Sequence, residues 1–221
     1  MKRVLVLIAA LALSSTALAQ QNNRSDTWQF DLVVGNLDGD TLSGENGSSI
    51  ETDSTTVFGL AINYNFNSHW ALGGELTWGS PDYDAVIIPD DGFGNPLPPQ
   101  TIRHEMDLFS YMFKGTFNLL EGPITPYAEL GFGWTEMDSN VADQPPITGC
   151  WWDHWWGYIC NTYVSTFTKT RETLTGALGI RWDLGNGMTL KGSYGMMRID
   201  TSRAAESAEM NYYRLDVGWR F

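Results

Sequence analysis

The residues with the clearest chemical potential lie in one short stretch, GCWWDHWWGYIC, at residues 149–160. It contains the two cysteines of the chain, Cys150 and Cys160, with His154 between them. Thiolate and imidazole groups bind metals, and a pair of thiols can exchange or form a disulfide. The spacing therefore suggests metal binding, redox chemistry or a structural disulfide, and the compartment of the protein decides among them.

The N-terminus indicates that the protein is exported. Residues 1–19 start with the basic pair Lys2 and Arg3, continue with an apolar run and end in Ala17-Leu18-Ala19. This is the pattern of a secretory signal peptide, and its apolar run is too short to span a bilayer. We expect cleavage after Ala19 and one mature domain over residues 20–221. In an oxidising compartment Cys150 and Cys160 are expected to form a disulfide, with no metal site and no cofactor.

The charge of the chain excludes one class of partner. The sequence has 26 acidic and 13 basic residues, and two of the basic residues belong to the signal peptide. Such an acidic chain repels nucleic acid, which is therefore excluded as a partner.

From Trp28 onward the hydrophobic pattern has a period of two, which is typical of β-strands. In TWQFDLVVGNL, Trp28, Phe30, Leu32 and Val34 share one face and polar or small residues share the other. Eight such segments of about ten residues follow one another along the chain, with aromatic residues clustered at their ends. A soluble sandwich or lipocalin-like barrel also alternates. The many glycines and alanines on the second face suit a cramped interior better than a solvated surface, so we expect the apolar face to be the outside.

The connections between these segments alternate in length. Short turns lie near residues 67–68, 121–123 and 185–187, and longer connections lie at residues 38–54, 80–104, 138–165 and 200–208. A sheet can span lipid only if it closes, because every backbone polar group must be paired. The sequence therefore predicts an all-β, eight-stranded antiparallel up-and-down transmembrane β-barrel, with four long external loops and three short periplasmic turns.

The C-terminus carries the most specific motif. In YYRLDVGWRF the residues on the apolar face alternate up to the last position: Tyr213, Leu215, Val217, Trp219 and Phe221. With this ending, the mature chain resembles the small outer-membrane β-barrel proteins of Gram-negative bacteria, the group of the OmpA transmembrane domain, OmpX and OmpW. The resemblance implies a monomer in the outer membrane, with lipid and lipopolysaccharide as partners. It also implies that the C-terminal strand is an assembly signal for the barrel-assembly machinery.

Charged residues fall on the predicted inner face of the strands. They are Asp31, Glu75, Lys114, Glu129, Arg181, Lys191, Arg214, Asp216 and Arg220. Charges in a narrow, low-dielectric interior persist only when they are paired or hydrated. Two interpretations stay open: a salt-bridge network that fills the barrel, or the lining of a narrow channel for small solutes.

The functional interpretation depends on the loops. The aromatic residues between the cysteines, Trp151, Trp152, Trp155, Trp156 and Tyr158, either pack on the barrel rim and lipid headgroups or form a recognition surface for an extracellular ligand. The acidic loops lack the spacing of a defined calcium loop, which leaves solvated carboxylates or divalent bridging to lipopolysaccharide. His69, His104 and His154 fall in separate regions, and Glu105 and Ser110 beside His104 lie on opposite strand faces, so no enzyme is expected. We predict a structural or surface-interaction role, with a narrow channel as the alternative.

Overall fold

The computed structural model of the chain describes residues 24–43, 47–88, 97–145, 147–200 and 207–221. The predicted signal peptide lies outside the described residues. The described part contains fourteen strands: β1 (Thr27–Leu37), β2 (Thr41–Ser43), β3 (Ser49–Thr52), β4 (Thr55–Asn65), β5 (Trp70–Gly79), β6 (Asp82–Ile87), β7 (Gln100–Glu105), β8 (Asp107–Asn118), β9 (Ile124–Ala142), β10 (Ile147–Asp153), β11 (Gly157–Tyr163), β12 (Thr166–Asp183), β13 (Met188–Ile199) and β14 (Ala208–Arg220). Within this part, no helix is long and apolar enough to cross a bilayer.

Eight of the strands close into an antiparallel barrel in the order β1-β14-β13-β12-β9-β8-β5-β4. The last residue completes the closure, because the backbone groups of Phe221 and Trp28 exchange hydrogen bonds of 2.9 and 3.0 Å. The prediction of an eight-stranded all-β barrel is confirmed.

The apolar face of each barrel strand points outward. In β1, Trp28, Leu32 and Val34 are exposed, whereas Gln29 and Asp31 are buried. An apolar outer face and a polar interior are expected of a barrel in a membrane, because lipid tails surround its outer face.

Aromatic side chains form two groups on this outer face, one near each end of the barrel. Near the short turns, the rings of Trp70 and Phe117 lie 4.7 Å apart, centroid to centroid. Near the opposite end, Tyr111 and Trp134 lie 5.5 Å apart. Such belts are typical of the two interfaces between a membrane and water.

Short turns at residues 66–69, 119–123 and 184–187 join barrel strands at one end, which we call the turn end. The other end, the loop end, carries the long connections. Two barrel strands extend well beyond the others at the loop end: β9 has 19 residues and β12 has 18. The expectation of strands of about ten residues is wrong for this pair, whose ladder continues with one irregularity from Trp182–Ile124 to Thr166–Ala142.

The long connections also contain strands that the sequence pattern did not predict. Strands β2, β3, β6 and β7 form a separate four-stranded sheet, and β10 and β11 form a hairpin. The four-stranded sheet rests against the extended β9, where the buried Tyr83 hydroxyl donates to the Ser139 carbonyl at 3.0 Å. The Asn140 side-chain amide donates to the Glu105 carbonyl at 2.9 Å. These non-local hydrogen bonds explain why segments with little alternation become ordered strands.

The barrel interior has two layers. Near the loop end it is an apolar cluster that includes Leu37, Leu108, Met197, Ile199 and Tyr212. Towards the turn end it is filled by charged and amide side chains. The barrel therefore holds a small hydrophobic core near the loop end and a polar core towards the turn end.

Glycines leave room for aromatic rings in the interior. A Cβ on Gly179 would stand 2.7 Å from the Tyr127 ring, and a Cβ on Gly195 would stand 2.5 Å from the Tyr212 ring. Real Cβ atoms do not approach that closely, so both positions require glycine.

Candidate functional site

The part of the polar layer nearest the loop end is centred on Arg214. Its guanidinium lies 2.9 Å from Glu75, 3.4 Å from Glu129 and 2.7 Å from Asp216. Lys114 pairs with the same two glutamates and lies 3.1 Å from Glu129. All of these side chains are buried.

Lys191 continues the network towards the turn end. Its ammonium lies 3.2 Å from Asp216 and 3.0 Å from Asp31. Asp31 also accepts hydrogen bonds from the amides of Gln29, at 2.6 Å, and Asn63, at 2.7 Å. Each buried carboxylate in this part of the network thus faces at least one cation, which offsets the cost of removing both charges from water.

The lowest part of the network centres on Asp183, which the sequence analysis did not select. Its carboxylate lies 2.9 Å from Arg181, 3.0 Å from Arg24 and 3.9 Å from Arg220. Arg181 connects this part to the rest of the network, because its guanidinium donates to the side-chain oxygen of Gln29 at 2.7 Å. The structure therefore brings all nine predicted interior residues into one connected network, and adds Asp183 and Arg24 to it.

Sequence reasoning missed these two for different reasons. Asp183 lies two residues after Arg181 in β12 and therefore on the same inward face. A predicted strand that included residue 183 would have identified it as an interior residue. Arg24 precedes the first strand, where no alternating pattern exists.

Arg24 occupies the turn end of the barrel. Its guanidinium donates to the carbonyls of Ser68 and Leu120, both at 3.3 Å, and to those of Glu121 and Gly122. The side chain has no exposed surface. A buried arginine thus ties two neighbouring turns together across this opening.

A small cavity lies between the two layers of the interior. Its volume is about 60 Å³, and its lining includes Leu108, Met112 and Tyr212 with Glu75, Lys114 and Arg214 at its deep side. The cavity has space for a few water-sized molecules, and its lining is mostly apolar.

The hairpin of β10 and β11, which we call the aromatic hairpin, stands apart from the barrel sheet. Cys150 and Cys160 face each other across it and form a disulfide, so the predicted pairing is confirmed. Two positions further along, Trp152 faces Tyr158 in the same ladder. Because side chains alternate along a strand, this aromatic pair lies on the face that carries the disulfide.

The tip of the aromatic hairpin is ordered by a local turn. The Asp153 carboxylate accepts hydrogen bonds from the backbone N–H groups of Trp155, at 2.8 Å, and Trp156, at 3.0 Å. Gly157 follows with a φ of 77°, a left-handed conformation that favours glycine. The disulfide and this Asx turn hold the backbone in one arrangement.

The aromatic side chains of the hairpin are presented to the surroundings. Their exposed fractions are 74% for Trp152, 84% for Trp155, 79% for Trp156 and 68% for Tyr158. The side chain of Trp151 lies outside the described residues. For these four residues the structure does not show packing on the barrel rim, whereas contact with lipid headgroups and a recognition surface both stay predictions.

The remaining candidates do not meet. His69 lies at the turn end, where its Nδ1 is 2.8 Å from the Asn118 carbonyl oxygen, whereas His104 lies in β7 and His154 at the hairpin tip. Ser110 is buried and hydrogen-bonds Thr135 at 2.8 Å, while Glu105 is exposed. Among the described residues, no group of three or more His, Cys, Asp or Glu side chains is placed to hold a metal ion.

Comparison with solved structures identifies similar barrels. OprG from Pseudomonas aeruginosa is 14% identical, with a TM-score of 0.55, over 91% of this chain and 98% of that one. Neisserial surface protein A is 12% identical, with a TM-score of 0.50, over 87% and 95% of the two chains. The Escherichia coli outer membrane protease OmpT is 12% identical, with a TM-score of 0.47, over 92% and 99%. At these identities the likeness concerns the fold alone.

Sequence comparison gives the family. No curated protein matches the chain. The profile of the family described as "Outer membrane protein beta-barrel domain" matches residues 5–221. The closed eight-stranded barrel, its outward apolar face and this match over nearly the whole chain agree, and the protein belongs to the outer membrane β-barrel domain family.

Proposed function

We propose that this protein is a surface-interaction barrel that uses its aromatic hairpin to contact a partner outside the cell. Its family indicates the outer membrane of a Gram-negative cell. The barrel is then the anchor, with the turn end towards the periplasm and the loop end outside. A signal peptide cleaved after Ala19 would deliver the chain to that membrane.

The exposure of the aromatic hairpin carries this proposal. Trp152, Trp155, Trp156 and Tyr158 are each more than two-thirds exposed, on a hairpin that is separate from the barrel sheet. Large aromatic side chains held in water are unfavourable unless a partner covers them, and clusters of this kind mark interaction sites. Trp and Tyr are also the residues most enriched among binding hot spots.

The order of the hairpin supports the same role. A loop that must become ordered on binding loses affinity, because fixing its backbone and side chains costs conformational entropy. Here the Cys150–Cys160 disulfide and the Asp153 turn fix the backbone before any partner arrives. A disulfide closing so short a loop contributes roughly 2–3 kcal/mol to local order in the chain-entropy model.

The alternative, a narrow channel for small solutes, has one observation in its favour. A cavity of about 60 Å³ lies in the interior beside Glu75, Lys114 and Arg214. Below it, the paired charges of Asp31, Lys191 and Asp216 occupy the lumen. Side chains fill the interior of an eight-stranded barrel almost completely, which favours the surface role.

Binding by the refolded full-length protein in detergent micelles tests the proposal. The protein would be passed over immobilised dextran, heparin, casein and histone, which offer neutral, anionic and cationic surfaces. We expect at least one of these surfaces to retain it. The double variant Trp155→Ala/Trp156→Ala should lose that binding by about tenfold or more, as is usual for hot-spot aromatics.

Two controls separate binding from folding. Phe167→Ala removes another exposed aromatic side chain of the loop end, outside the hairpin, and should leave binding unchanged. Heat-modifiable gel mobility should stay the same in all variants, because none of these residues belongs to the barrel interior. Equal retention of the double variant and the parent on every surface would overturn the proposal.

The other partners are proposed on the same basis. The outward face would contact lipid and lipopolysaccharide, and the protein would act as a monomer. The C-terminal strand, with Tyr213, Leu215, Trp219 and Phe221 exposed on its outer face, would be read by the barrel-assembly machinery. Deletion of Phe221 should then lower the amount of assembled barrel in cells, while a Tyr158→Ala variant assembles normally.

A further inference from the structure

We infer that the partner of the aromatic hairpin is a cationic polypeptide, a segment rich in arginine or lysine on another protein. This inference rests on the proposed surface role and adds the chemistry of the partner. It depends on two features that the fold places at the same end: the exposed rings of the hairpin and the excess negative charge of the loop end.

Among the described residues, almost all of the excess negative charge lies at the loop end. The described residues of the segments 38–54, 80–107, 136–172 and 198–209 include fifteen acidic and four basic residues. The other described residues include seven acidic and six basic residues, so they contribute almost no negative excess. The barrel balances its interior charges and concentrates the unbalanced ones at one surface.

Part of this charge lies along the extended pair β9 and β12, which ends at Asp143 just before the aromatic hairpin begins. Glu136, Asp143 and Glu172 are exposed on the extended pair β9 and β12 and the residue that follows β9. Lys169 and Arg171 on the same pair are the nearby basic residues. A surface of this sign attracts cations, increases their association rate and repels anionic polymers.

The rings of the hairpin suit the same partner. A guanidinium or ammonium group is attracted to the face of an indole, most strongly for Trp. Trp152, Trp155 and Trp156 offer three such faces, and each is at least 74% exposed. Arginine gains most, because its planar guanidinium stacks on the ring and carries less tightly held water than an ammonium group.

The extent of the surface favours a polypeptide over a small cation. A seven-residue strand such as β10 is about 23 Å long at 3.3 Å per residue. An extended chain with several cationic side chains can cover the rings and reach the carboxylates below them at the same time. A single metal ion or free arginine reaches only one of these groups.

Fluorescence anisotropy with labelled peptides tests the inference on the full-length protein in micelles of a neutral detergent. The probes are nona-arginine, nona-lysine and nona-glutamate, each carrying fluorescein. We expect binding of nona-arginine, weaker binding of nona-lysine and none of nona-glutamate. Added salt should weaken binding, because the carboxylates are exposed and screened.

Two variants separate the rings from the charges. Trp155→Ala/Trp156→Ala should lower the affinity for nona-arginine by about tenfold. Glu136→Gln/Asp143→Asn/Glu172→Gln should also lower the affinity and should flatten its dependence on salt. Phe167→Ala, outside the hairpin, should change neither quantity.

The results that would overturn the inference differ from those that would overturn the proposed function. If nona-arginine fails to bind while dextran, heparin or casein shows hairpin-dependent retention, the partner is not cationic and the surface role stands. If nona-arginine binds equally well to the double tryptophan variant, the charges act without the hairpin and the inference is wrong. If neither the peptides nor any immobilised surface shows hairpin-dependent binding, both proposals are wrong.

Discussion

Arg24 and Asp183 form a salt bridge of 3.0 Å in which neither side chain has any exposed surface. The two residues come from opposite parts of the sequence, since Arg24 precedes the first strand and Asp183 ends β12. Arg24 also donates to backbone carbonyls of two turns. The segment before β1 therefore helps to fix the turn end of the barrel.

Replacing this arginine should destabilise the barrel. Arg24→Ala leaves Asp183 buried with Arg181 at 2.9 Å and Arg220 at 3.9 Å, and leaves the turn carbonyls without the arginine donor. Loss of one partner of a buried pair costs about 3–5 kcal/mol, and the lower value applies here because Arg181 remains. Urea unfolding in lipid vesicles, followed by tryptophan fluorescence, measures the change. Arg24→Lys should lie between the parent and Arg24→Ala, and equal stability of all three would contradict this role.

Buried and exposed ion pairs should respond differently to the same kind of substitution. Lys191→Met removes the cation shared by Asp31 and Asp216 and should cost about 3 kcal/mol of unfolding free energy. Arg198→Met removes an ion pair of 3.8 Å whose side chains are more than half exposed, and should cost less than about 1 kcal/mol. The same urea titration compares both variants. Similar costs would show that the interior pairs are hydrated like those on the surface.

Two neighbouring glycines provide a matched test of interior packing. A Cβ on Gly179 would stand 2.4 Å from the Gly192 carbonyl oxygen and 2.7 Å from the Tyr127 ring, whereas a Cβ on Gly192 has no atom within 4 Å. Gly179→Ala should therefore cost about 1–3 kcal/mol, the usual range for overpacking. Gly192→Ala should change stability by no more than about 0.5 kcal/mol. Refolding yield and urea midpoint measure both, and a larger loss for Gly192→Ala would refute this account of the interior.

Acid should weaken one contact of the four-stranded sheet at the loop end. Arg103 donates to the Asp84 carboxylate at 2.6 Å and holds the pKa of Asp84 below its ordinary value. A lowered pKa in the folded state means that the pair stabilises the sheet above the ordinary carboxyl pKa. This contribution is lost as the pH falls through the lower, folded value. An NMR titration of the Asp84 carboxyl should show the lowered pKa, and Arg103→Gln should return it to the ordinary range. An unchanged titration in the variant would remove Arg103 as the cause.

Much of the barrel was predictable because its strands obey one simple rule. In β1, the alternation of Trp28, Phe30 and Leu32 with Gln29 and Asp31 identifies the strand and both of its faces. The same alternation predicts that Asp31 and Lys191 both point into the barrel. The two residues are 160 positions apart in the sequence and form a hydrogen bond in the structure. Alternation assigns the face of a residue, and closure of the sheet then brings the inward charges together.

Other parts depend on contacts that no local pattern encodes. Arg24 lies outside the strands, so its place at the turn end follows only from the turns that surround it. The extended part of β9 contacts the four-stranded sheet through Tyr83 and Asn140, which are distant in sequence from their partners. In the hairpin the cysteine spacing predicted the disulfide, but the exposure of Trp155 depends on how the hairpin projects from the barrel.

Planar-bilayer conductance of the refolded, full-length protein tests the central claim most directly, namely that the lumen is filled and is not a solute channel. The connected charges from Glu75 to Arg24 are paired and buried in the interior of the described barrel, so we predict a flat current trace across the voltage range at neutral pH. Reproducible single-channel steps from the parent protein, unchanged in Trp155→Ala/Trp156→Ala, would contradict the account and favour a solute channel.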